Sequence, residues 1–164
     1  MKIICLGDSF TEGFLVDKSY ADYLEDMGHK VINLGINGNR TYQMLERFIP
    51  EKSDVLIIFG GSNDTYDQIS PDDSFENIEK ILDKSLSDKN IVIIPPLMEL
   101  EEAYPRYELN NNAINALGDL INSLECDVVD ARKIEPSYFI DGLHMREDFH
   151  QRLAQEIIKT IENI

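Results

Sequence analysis

The sequence contains few cationic residues. Lys and Arg together number 15, against 31 Asp and Glu, so the formal net charge at pH 7 is −16. A surface with this excess of negative charge repels the phosphates of nucleic acids and anionic lipid headgroups. We therefore expect no nucleic acid and no membrane among the partners of this chain. Solubility alone is a sufficient reason for the acidity.

Cysteine, tryptophan and long apolar runs are also scarce or absent. The two cysteines, Cys5 and Cys126, are too few and too far apart for a disulfide framework, and Cys5 is expected in the core. No segment approaches the ~20 apolar residues of a membrane-spanning helix, and the N-terminus lacks an apolar signal-peptide region. These absences predict a cytoplasmic protein, and a length of 164 residues predicts a single domain spanning residues 1–164.

Five short apolar runs alternate with segments of helical spacing. The predicted strands are Lys2–Leu6, Val31–Leu34, Val55–Phe59, Ile91–Ile94 and Val128–Val129. The first four barely alternate, which is typical of strands buried on both faces of a parallel sheet. The predicted helices are Ser19–Met27, Thr41–Ile49, Ser74–Leu86, Leu109–Leu124 and Arg146–Ile164. This alternation predicts a three-layer α/β/α sandwich with a five-stranded parallel sheet, as in flavodoxin-like folds.

Glycines and small polar residues follow the first three predicted strands. The segments are Gly-Asp-Ser at 7–9, Gly-Ile-Asn-Gly-Asn-Arg at 35–40 and Gly-Gly-Ser-Asn-Asp at 60–64. Taken singly, each has the ordinary composition of a turn or a helix cap. Pro-Pro at 95–96 follows the fourth strand. Because the carboxyl ends of parallel strands meet at one edge of a sheet, all four segments converge on a single place. That convergence predicts a functional site.

A serine nucleophile requires a base and a group that orients the base. Of the three histidines, His29 precedes the second strand and so belongs to the opposite edge of the sheet. His150 lies within the last predicted helix, where we expect it to be solvated. His144 follows the fifth strand and can lie at the same edge as Ser9. Asp141, three residues earlier, can reach the His144 imidazole through one tight turn.

Together these segments resemble the blocks of the GDSL, or SGNH, hydrolase family. The matching blocks are Gly-Asp-Ser at 7–9, a glycine after the second strand, Gly-Ser-Asn-Asp at 61–64 and Asp-x-x-His at 141–144. They occur in the family's order and cover essentially the whole chain. The resemblance implies a serine esterase of the SGNH hydrolase fold that cleaves small, short-chain acyl esters, such as acetates, through an acyl-enzyme. It implies Ser9 as nucleophile, His144 as general base and acid, and Asp141 as its orienting carboxylate.

The resemblance also implies the donors of an oxyanion hole. They are the backbone N–H groups of Ser9 and Gly38 and the side-chain amide of Asn63. Gly35 also follows the second strand, but Gly38 is preferred because its segment leads straight into a helix. Met145 is a departure, since many family members have proline after the histidine. No cofactor is implied, and the histidines lack the spacing of a metal site.

A flavodoxin-like nucleotide or flavin binder is the alternative interpretation. Residues 9–13 follow the first strand, as a phosphate-binding loop would. The carboxylates of Asp8 and Glu12 would repel phosphate, and the segment lacks the Gly-Lys-Ser/Thr ending of a P-loop. The absence of tryptophan, which often stacks on flavins, also weighs against this alternative.

The long irregular segment Pro95–Glu108 follows the fourth strand at the same edge as the predicted site. With Phe10–Val16, it is expected to form the walls of the site, since long loops in such folds usually have a function. Its apolar side chains are Leu97, Met98, Tyr104 and Tyr107. These side chains either line an acyl pocket or pack the loop onto the core, and the sequence favours neither.

Overall fold

A five-stranded parallel sheet lies at the centre of the protein, in a computed structural model that describes residues 1–99, 106–135 and 139–163. The strands are β1 (Lys2–Gly7), β2 (Lys30–Gly35), β3 (Ser53–Phe59), β4 (Ser87–Ile94) and β5 (Asp127–Asp130). Their spatial order is β2-β1-β3-β4-β5 and every adjacent pair is parallel. This order is that of flavodoxin-like sheets, so the predicted sheet is confirmed.

Helices connect the strands along the described part of the chain. They are α1 (Ser9–Glu12), α2 (Tyr20–Asp26), α3 (Thr41–Arg47), α4 (Ser62–Tyr66), α5 (Pro71–Lys84), α6 (Tyr107–Ile121) and α7 (Glu147–Glu162), with a 3₁₀ turn at Ala131–Lys133. All five predicted helices are present. The sequence did not predict α1 and α4, because helices of 4 and 5 residues are too short to show a 3.6-residue period.

Alternate side chains of the sheet enter two separate apolar layers. Ile3 and Cys5 of β1 belong to the layer that α2 and α7 cover, whereas Ile4 and Leu6 belong to the layer under α3, α5 and α6. Because neighbouring strand residues point to opposite faces, a nearly continuous apolar run fills both layers. The three-layer sandwich and the core position of Cys5 are therefore confirmed.

Some details of the predicted elements are wrong. The strand β2 is at the edge of the sheet and is only partly buried, so the expectation of burial on both faces fails there. Ile49 and Leu86 lie beyond the ends of α3 and α5 and are 82% and 55% exposed. The helix α5 begins earlier than predicted, because Ser70 caps its N-terminus and Pro71 suits its first turn.

The sheet order places the loops after β1, β2 and β3 beside one another. The strand β1 lies between β2 and β3, so the chain first continues to the strand on one side of β1 and then crosses to the strand on its other side. Open α/β sheets bind ligands at such a switch point. The nucleophile candidate follows β1 directly.

Across the three described ranges, no helix has both the length and the apolar character needed to cross a bilayer.

Candidate active site

Three side chains from distant parts of the chain form one hydrogen-bonded series. The Oγ of Ser9 lies 3.0 Å from Nε2 of His144, and Nδ1 of His144 lies 2.7 Å from Oδ2 of Asp141. Ser9 and His144 are 3% and 7% exposed, so bulk water competes little for these hydrogen bonds. The structure therefore brings together all three residues that the sequence predicted as a triad.

The end of β1 presents Ser9 at the edge of the sheet. Ser9 is the first residue of α1, and the carboxylate of Asp8 caps this helix by accepting a hydrogen bond of 3.1 Å from the N–H of Phe10. The Phe10 ring is buried and stacks on Phe59, with centroids 5.0 Å apart, and its centroid lies 5.9 Å from that of the His144 ring. The cap and the stacked ring together hold Ser9 against His144.

A tight turn before α7 orients His144. The Oδ1 of Asp141 accepts hydrogen bonds from the N–H groups of Leu143, at 3.1 Å, and His144, at 2.7 Å, and leaves Oδ2 for the imidazole. Burial raises the pKa of Asp141, but the bonds from the His144 side chain and the two backbone N–H groups outweigh burial, so its pKa lies below the ordinary value. The carboxylate is therefore charged where it supports a protonated imidazole.

Asp8 contributes to the site in a way that the sequence did not reveal. Its side chain is fully buried, and Oδ2 lies 3.4 Å from the amide nitrogen of Asn63. Burial raises the pKa of Asp8, the hydrogen bond from Phe10 lowers it and the nearby carboxylate of Asp64 raises it, so that the pKa lies at about 7. From the sequence, Asp8 is expected only to repel phosphate, because nothing in a single sequence distinguishes a buried aspartate from an exposed one.

The geometry around the second strand separates Gly38 from Gly35. A side chain at Gly35 would collide with the backbone of α1, since its Cβ would lie 2.1 Å from the N of Glu12. Gly38 has a φ of +78° and nothing within 4 Å of its absent Cβ. It occupies the third position of a turn that Asn39 closes by donating its N–H to the carbonyl of Ile36, where a positive φ favours glycine. Gly35 therefore serves helix packing, and Gly38 lies on the open loop.

Asn63 lies opposite Ser9 on α4. Its amide nitrogen donates to the carbonyl of Asn39 at 3.0 Å, which fixes one of the two amide hydrogens. The other faces Asp8 at 3.4 Å, longer than an ordinary N–H···O hydrogen bond. That second hydrogen is the one an incoming oxyanion can accept.

Asp64 joins the three segments around Asn63. Its buried carboxylate accepts hydrogen bonds from the N–H of Thr41, at 2.9 Å, the hydroxyl of Thr41, at 2.6 Å, and the hydroxyl of Ser74, at 2.8 Å. Thr41 begins α3 and Ser74 belongs to α5. The start of α3 is thereby held against the helix that carries Asn63.

A cavity of about 340 Å³ opens onto these groups. Its lining residues are Phe14, Asn37, Asn63, Tyr66, Asp141, Leu143 and His144. A groove of about 450 Å³ between β5 and α7 is larger, but charged residues such as Lys133 and Glu156 line it and no histidine does. The smaller cavity is therefore the candidate active site, because His144, whose Nε2 contacts Ser9, and Asp141 are among its lining residues.

The two remaining histidines differ from each other. The prediction that His150 is solvated is wrong: it is 2% exposed, and its Nδ1 accepts the N–H of Tyr20 at 3.2 Å. The sequence could not reveal this, because α2 covers the face of α7 on which His150 lies. His29 lies beside the N-terminal amine of Met1, at the opposite edge of the sheet, as predicted.

The apolar residues after β4 pack the loop onto the core. Met98 is 3% exposed, belongs to the core layer under α7, and Leu97 and Tyr107 pack against that layer. Leu97 and Met98 line a separate cavity of about 230 Å³ with Met145, which is 1% exposed. Residues 100–105, which include Tyr104, lie outside the described residues. Of the two readings of this loop, the described part supports packing.

The loop after β1 is built differently from a phosphate-binding loop. The N–H of Phe10, which such a loop would offer to a phosphate, is bound by Asp8 instead. Within the described ranges, no cluster of three His, Cys, Asp or Glu side chains is arranged to hold a metal ion. What the site does contain is a hydroxyl, an imidazole and a carboxylate in series, beside the weakly bonded second amide hydrogen of Asn63 and an open glycine loop. Such an arrangement suits acyl transfer.

Solved structures of esterases share this fold. An inhibitor-bound aryl esterase from M. smegmatis has a TM-score of 0.80 at 18% sequence identity, covering 99% of this chain and 98% of that one. A carbohydrate acetylesterase from Sinorhizobium meliloti has a TM-score of 0.75 at 18% identity, covering 99% and 98%. A lipase/acylhydrolase from Enterococcus faecalis has a TM-score of 0.79 at 23% identity, covering 99% and 95%. No curated protein sequence matches this chain significantly.

The sequence itself also matches a family model. The match extends over residues 5–152 and therefore includes every candidate site residue, from Ser9 to His144. Its description is that of GDSL-like lipases and acylhydrolases, which are ester hydrolases. The fold, the order of the blocks and this match agree, and the chain belongs to the GDSL-like Lipase/Acylhydrolase family.

Proposed function

We propose that this protein hydrolyses small acyl esters through a Ser9–His144–Asp141 triad and an acyl-enzyme intermediate. The observation that carries the proposal is the pair of short contacts, 3.0 Å from Ser9 to His144 and 2.7 Å from His144 to Asp141. These distances are those of a nucleophile bound to its base and a base bound to its orienting group. The site lies at the carboxyl edge of the sheet, where a substrate has access through the cavity.

The reaction divides into two acyl transfers. The Oγ of Ser9 attacks the ester carbonyl while its proton passes to Nε2 of His144, and the alcohol leaves with that proton. Water then gives a proton to Nε2 of His144 and attacks the acyl carbon. The bond from the acyl carbon to Oγ of Ser9 breaks, His144 returns the proton to Oγ, and the acid is released. Asp141 holds the imidazole in the required tautomer and stabilises its protonated form throughout.

The oxyanion of each tetrahedral intermediate requires nearby donors. We assign them to the N–H groups of Ser9 and Gly38 and to the second amide hydrogen of Asn63. The open space at Gly38 and the long contact from Asn63 to Asp8 support this assignment. Loss of one such donor typically lowers the rate by ~10²–10³.

The composition of the cavity favours a short acyl group. Among the described residues, its apolar lining consists of Phe14, Tyr66 and Leu143, and the other lining groups are polar. Leu97 and Met98, which would extend an apolar channel, pack elsewhere. A small acyl group such as acetyl fits beside the aromatic rings, and a polar, hydroxylated alcohol fits the open side. The carbohydrate acetylesterase among the similar folds is consistent with this substrate class.

The proposal is tested with p-nitrophenyl esters of two to twelve carbons, a panel of acetylated sugars and a fluorophosphonate probe. We expect kcat/KM to be highest for the acetate and to fall with chain length. Ser9→Ala should abolish turnover and labelling, because among the described residues Ser9 supplies the hydroxyl that bonds Nε2 of His144.

Ser123→Ala is the matched control, because Ser123 is an exposed serine that bonds only the carbonyl of Leu120 within the described structure. It should retain wild-type activity and labelling. Persistent labelling and turnover in Ser9→Ala would show that another group is the nucleophile. A preference for the longest esters would refute the short-chain assignment alone.

A further inference from the structure

The side chain of Arg47 crosses from the last turn of α3 to the base of the site. Its Nε donates to Oδ1 of Asn39 at 2.7 Å, and one terminal nitrogen donates to the carbonyl of Gly7 at 2.8 Å. Gly7 immediately precedes the Asp8-Ser9 pair at the end of β1. Asn39 immediately follows Gly38. One guanidinium therefore joins the segment of the nucleophile to the loop of the proposed oxyanion donor.

The Gly7 carbonyl is a meeting point of these two segments. It accepts the N–H of Ile36, at 3.1 Å, as well as the guanidinium of Arg47. Ile36 begins the turn that contains Gly38. The Gly38 loop is thus attached to the end of β1 twice. At its start the backbone N–H of Ile36 bonds the Gly7 carbonyl, and at its end Arg47 links Asn39 to the same carbonyl.

Asn39 extends this connection to the third segment of the site. Its side chain accepts from Arg47, and its backbone carbonyl accepts the amide of Asn63. Asn39 is 8% exposed, so both bonds are largely sheltered from water. A displacement of Asn39 would therefore move Gly38 and release the amide hydrogen that is now held in place on Asn63.

The bonding of Arg47 differs from that of Arg40, the arginine on the neighbouring loop. Among the residues that the structure describes, no carboxylate forms an ion pair with it, and its acceptors are neutral oxygens. Arg40, on the same loop, is instead ion-paired with Asp67 at the surface. Burial lowers the pKa of Arg47 below its ordinary value, yet arginine keeps its charge in proteins. A partly buried cation without a counter-ion is costly for stability alone, which favours a functional reason for its position.

We propose that Arg47 is a positioning residue for ester hydrolysis, which fixes the Gly38 loop and the Asn63 amide relative to Ser9. The inference rests on the proposed function, since it takes Gly38 and Asn63 as the oxyanion donors. The forked guanidinium is required because two acceptors on different segments must be bound at once. A lysine has the charge but offers a single point of attachment.

The test compares Arg47→Ala, Arg47→Lys and the control Arg152→Ala with p-nitrophenyl acetate. Arg152 is exposed on α7 and lines the separate 450 Å³ groove, so its loss changes the net charge equally. We expect kcat to fall about 10- to 100-fold in Arg47→Ala, because a misplacement of about 1 Å has effects of this size. KM should change little, since the lost interactions act on the transition state.

Chemical rescue separates positioning from a purely structural role. Guanidinium chloride at about 50 mM, far below denaturing concentrations, should restore part of kcat in Arg47→Ala, whereas the same concentration of NaCl should not. Guanidinium should have no such effect on the wild-type protein or on Ser9→Ala. Circular dichroism melting curves establish that each variant is folded at the assay temperature.

Wild-type kcat in Arg47→Ala would overturn the inference, and so would a fall in kcat that follows the unfolded fraction without rescue. If Arg47→Ala does not fold, Arg47→Lys decides: a fall of about 10-fold in kcat at unchanged KM supports positioning, and an unchanged kcat refutes it. Turnover in Ser9→Ala would instead refute the proposed function. An inactive Ser9→Ala beside a fully active Arg47→Ala would refute only the role of Arg47.

Discussion

The loop after β1 and the turn before α7 each place an aspartate beside a candidate reacting group, but in opposite environments. Asp141, next to His144, is partly exposed, and three hydrogen bonds from His144 and Leu143 lower its pKa despite burial. Asp8, next to Ser9, is fully buried, and burial raises its pKa to about 7. One residue type is therefore kept charged in one segment and pushed toward its neutral form in the other.

The difference shows what decides the role of a carboxyl group. Hydrogen-bond donors favour the charged form and desolvation penalises it, so the balance of the two sets the pKa. A charged Asp141 can stabilise an imidazolium. A buried Asp8 is better suited to capping α1 and packing under Asn63, since these contacts tolerate a neutral carboxyl group.

The largest expected effect comes from Asp141→Asn. Asparagine preserves the size of the side chain but offers an amide to His144 and favours the wrong tautomer, so we expect kcat to fall about 10⁴-fold. Steady-state kinetics with p-nitrophenyl acetate measure the loss. A decrease of less than tenfold in correctly folded protein would place the orienting group elsewhere.

Asp8→Asn should change the pH dependence of stability in the direction set by a raised pKa. In the wild-type protein, the folded state holds a proton on Asp8 between the ordinary pKa of 3.8 and about 7, whereas the unfolded state has lost it. The stabilising contribution of Asp8 is therefore complete below pH 3.8 and lost as the pH rises to 7. Asparagine retains the helix cap without this loss, so the stability of the variant relative to wild type should rise by up to about 4 kcal/mol across that range.

Urea titrations of both proteins at several pH values between 4 and 8 provide the measurement. The difference between variant and wild type isolates Asp8 from the other groups that titrate in this range. A difference that is independent of pH would mean that Asp8 has an ordinary pKa in the folded protein.

His150→Gln tests the same effect of burial on a group that is charged when protonated. Burial lowers the pKa of His150 to about 4, with Asp22 opposing and His144 adding to the shift. Between pH 6.5 and pH 4, His150 is protonated in the unfolded state but stays neutral in the folded state. Wild-type stability therefore falls as the pH falls from 6.5 to 4. Glutamine can still accept the N–H of Tyr20, and the variant should lack this loss of about 3 kcal/mol.

Melting temperatures recorded from pH 4 to pH 7 provide the readout for His150→Gln. The two proteins should converge near neutral pH and separate in acid. Parallel curves would show that His150 does not contribute to acid destabilisation.

The smallest expected effect is that of His29→Gln. His29 is at the opposite edge of the sheet, beside Met1, and none of its contacts reaches the cavity. We expect kcat/KM to stay within about 2-fold of wild type, as for ordinary surface substitutions. A large loss, measured with the same acetate ester, would contradict the assignment of chemistry to the carboxyl edge alone.

Much of the site was predictable from the sequence because it depends on local patterns at strand ends. The apolar runs located the strands, and a parallel sheet forces their carboxyl ends to one edge. That argument places Ser9, Asn63 and His144 together at the carboxyl edge of the sheet from the sequence alone. The structure agrees with the placement, at 3.0 Å between Ser9 and His144.

The rest depended on which surfaces other elements cover. The burial of His150 requires α2 to pack on α7, and the close contact at Gly35 requires α1 to lie against the end of β2. Neither packing is encoded in a local period. The sequence also did not predict α1 and α4, because a single turn of helix shows no 3.6-residue repeat.

By itself, the sequence determined the alternation of strands and helices, the edge of the sheet at which polar residues gather and the residues proposed to perform the chemistry. Only the tertiary structure decided the environments of those residues: the buried carboxyl group of Asp8, the bonded carboxylate of Asp141 and the guanidinium of Arg47 between two segments. The physical reason is that the sequence gives the type of each residue, whereas its solvation and hydrogen-bond partners depend on which distant parts of the chain pack against its side chain.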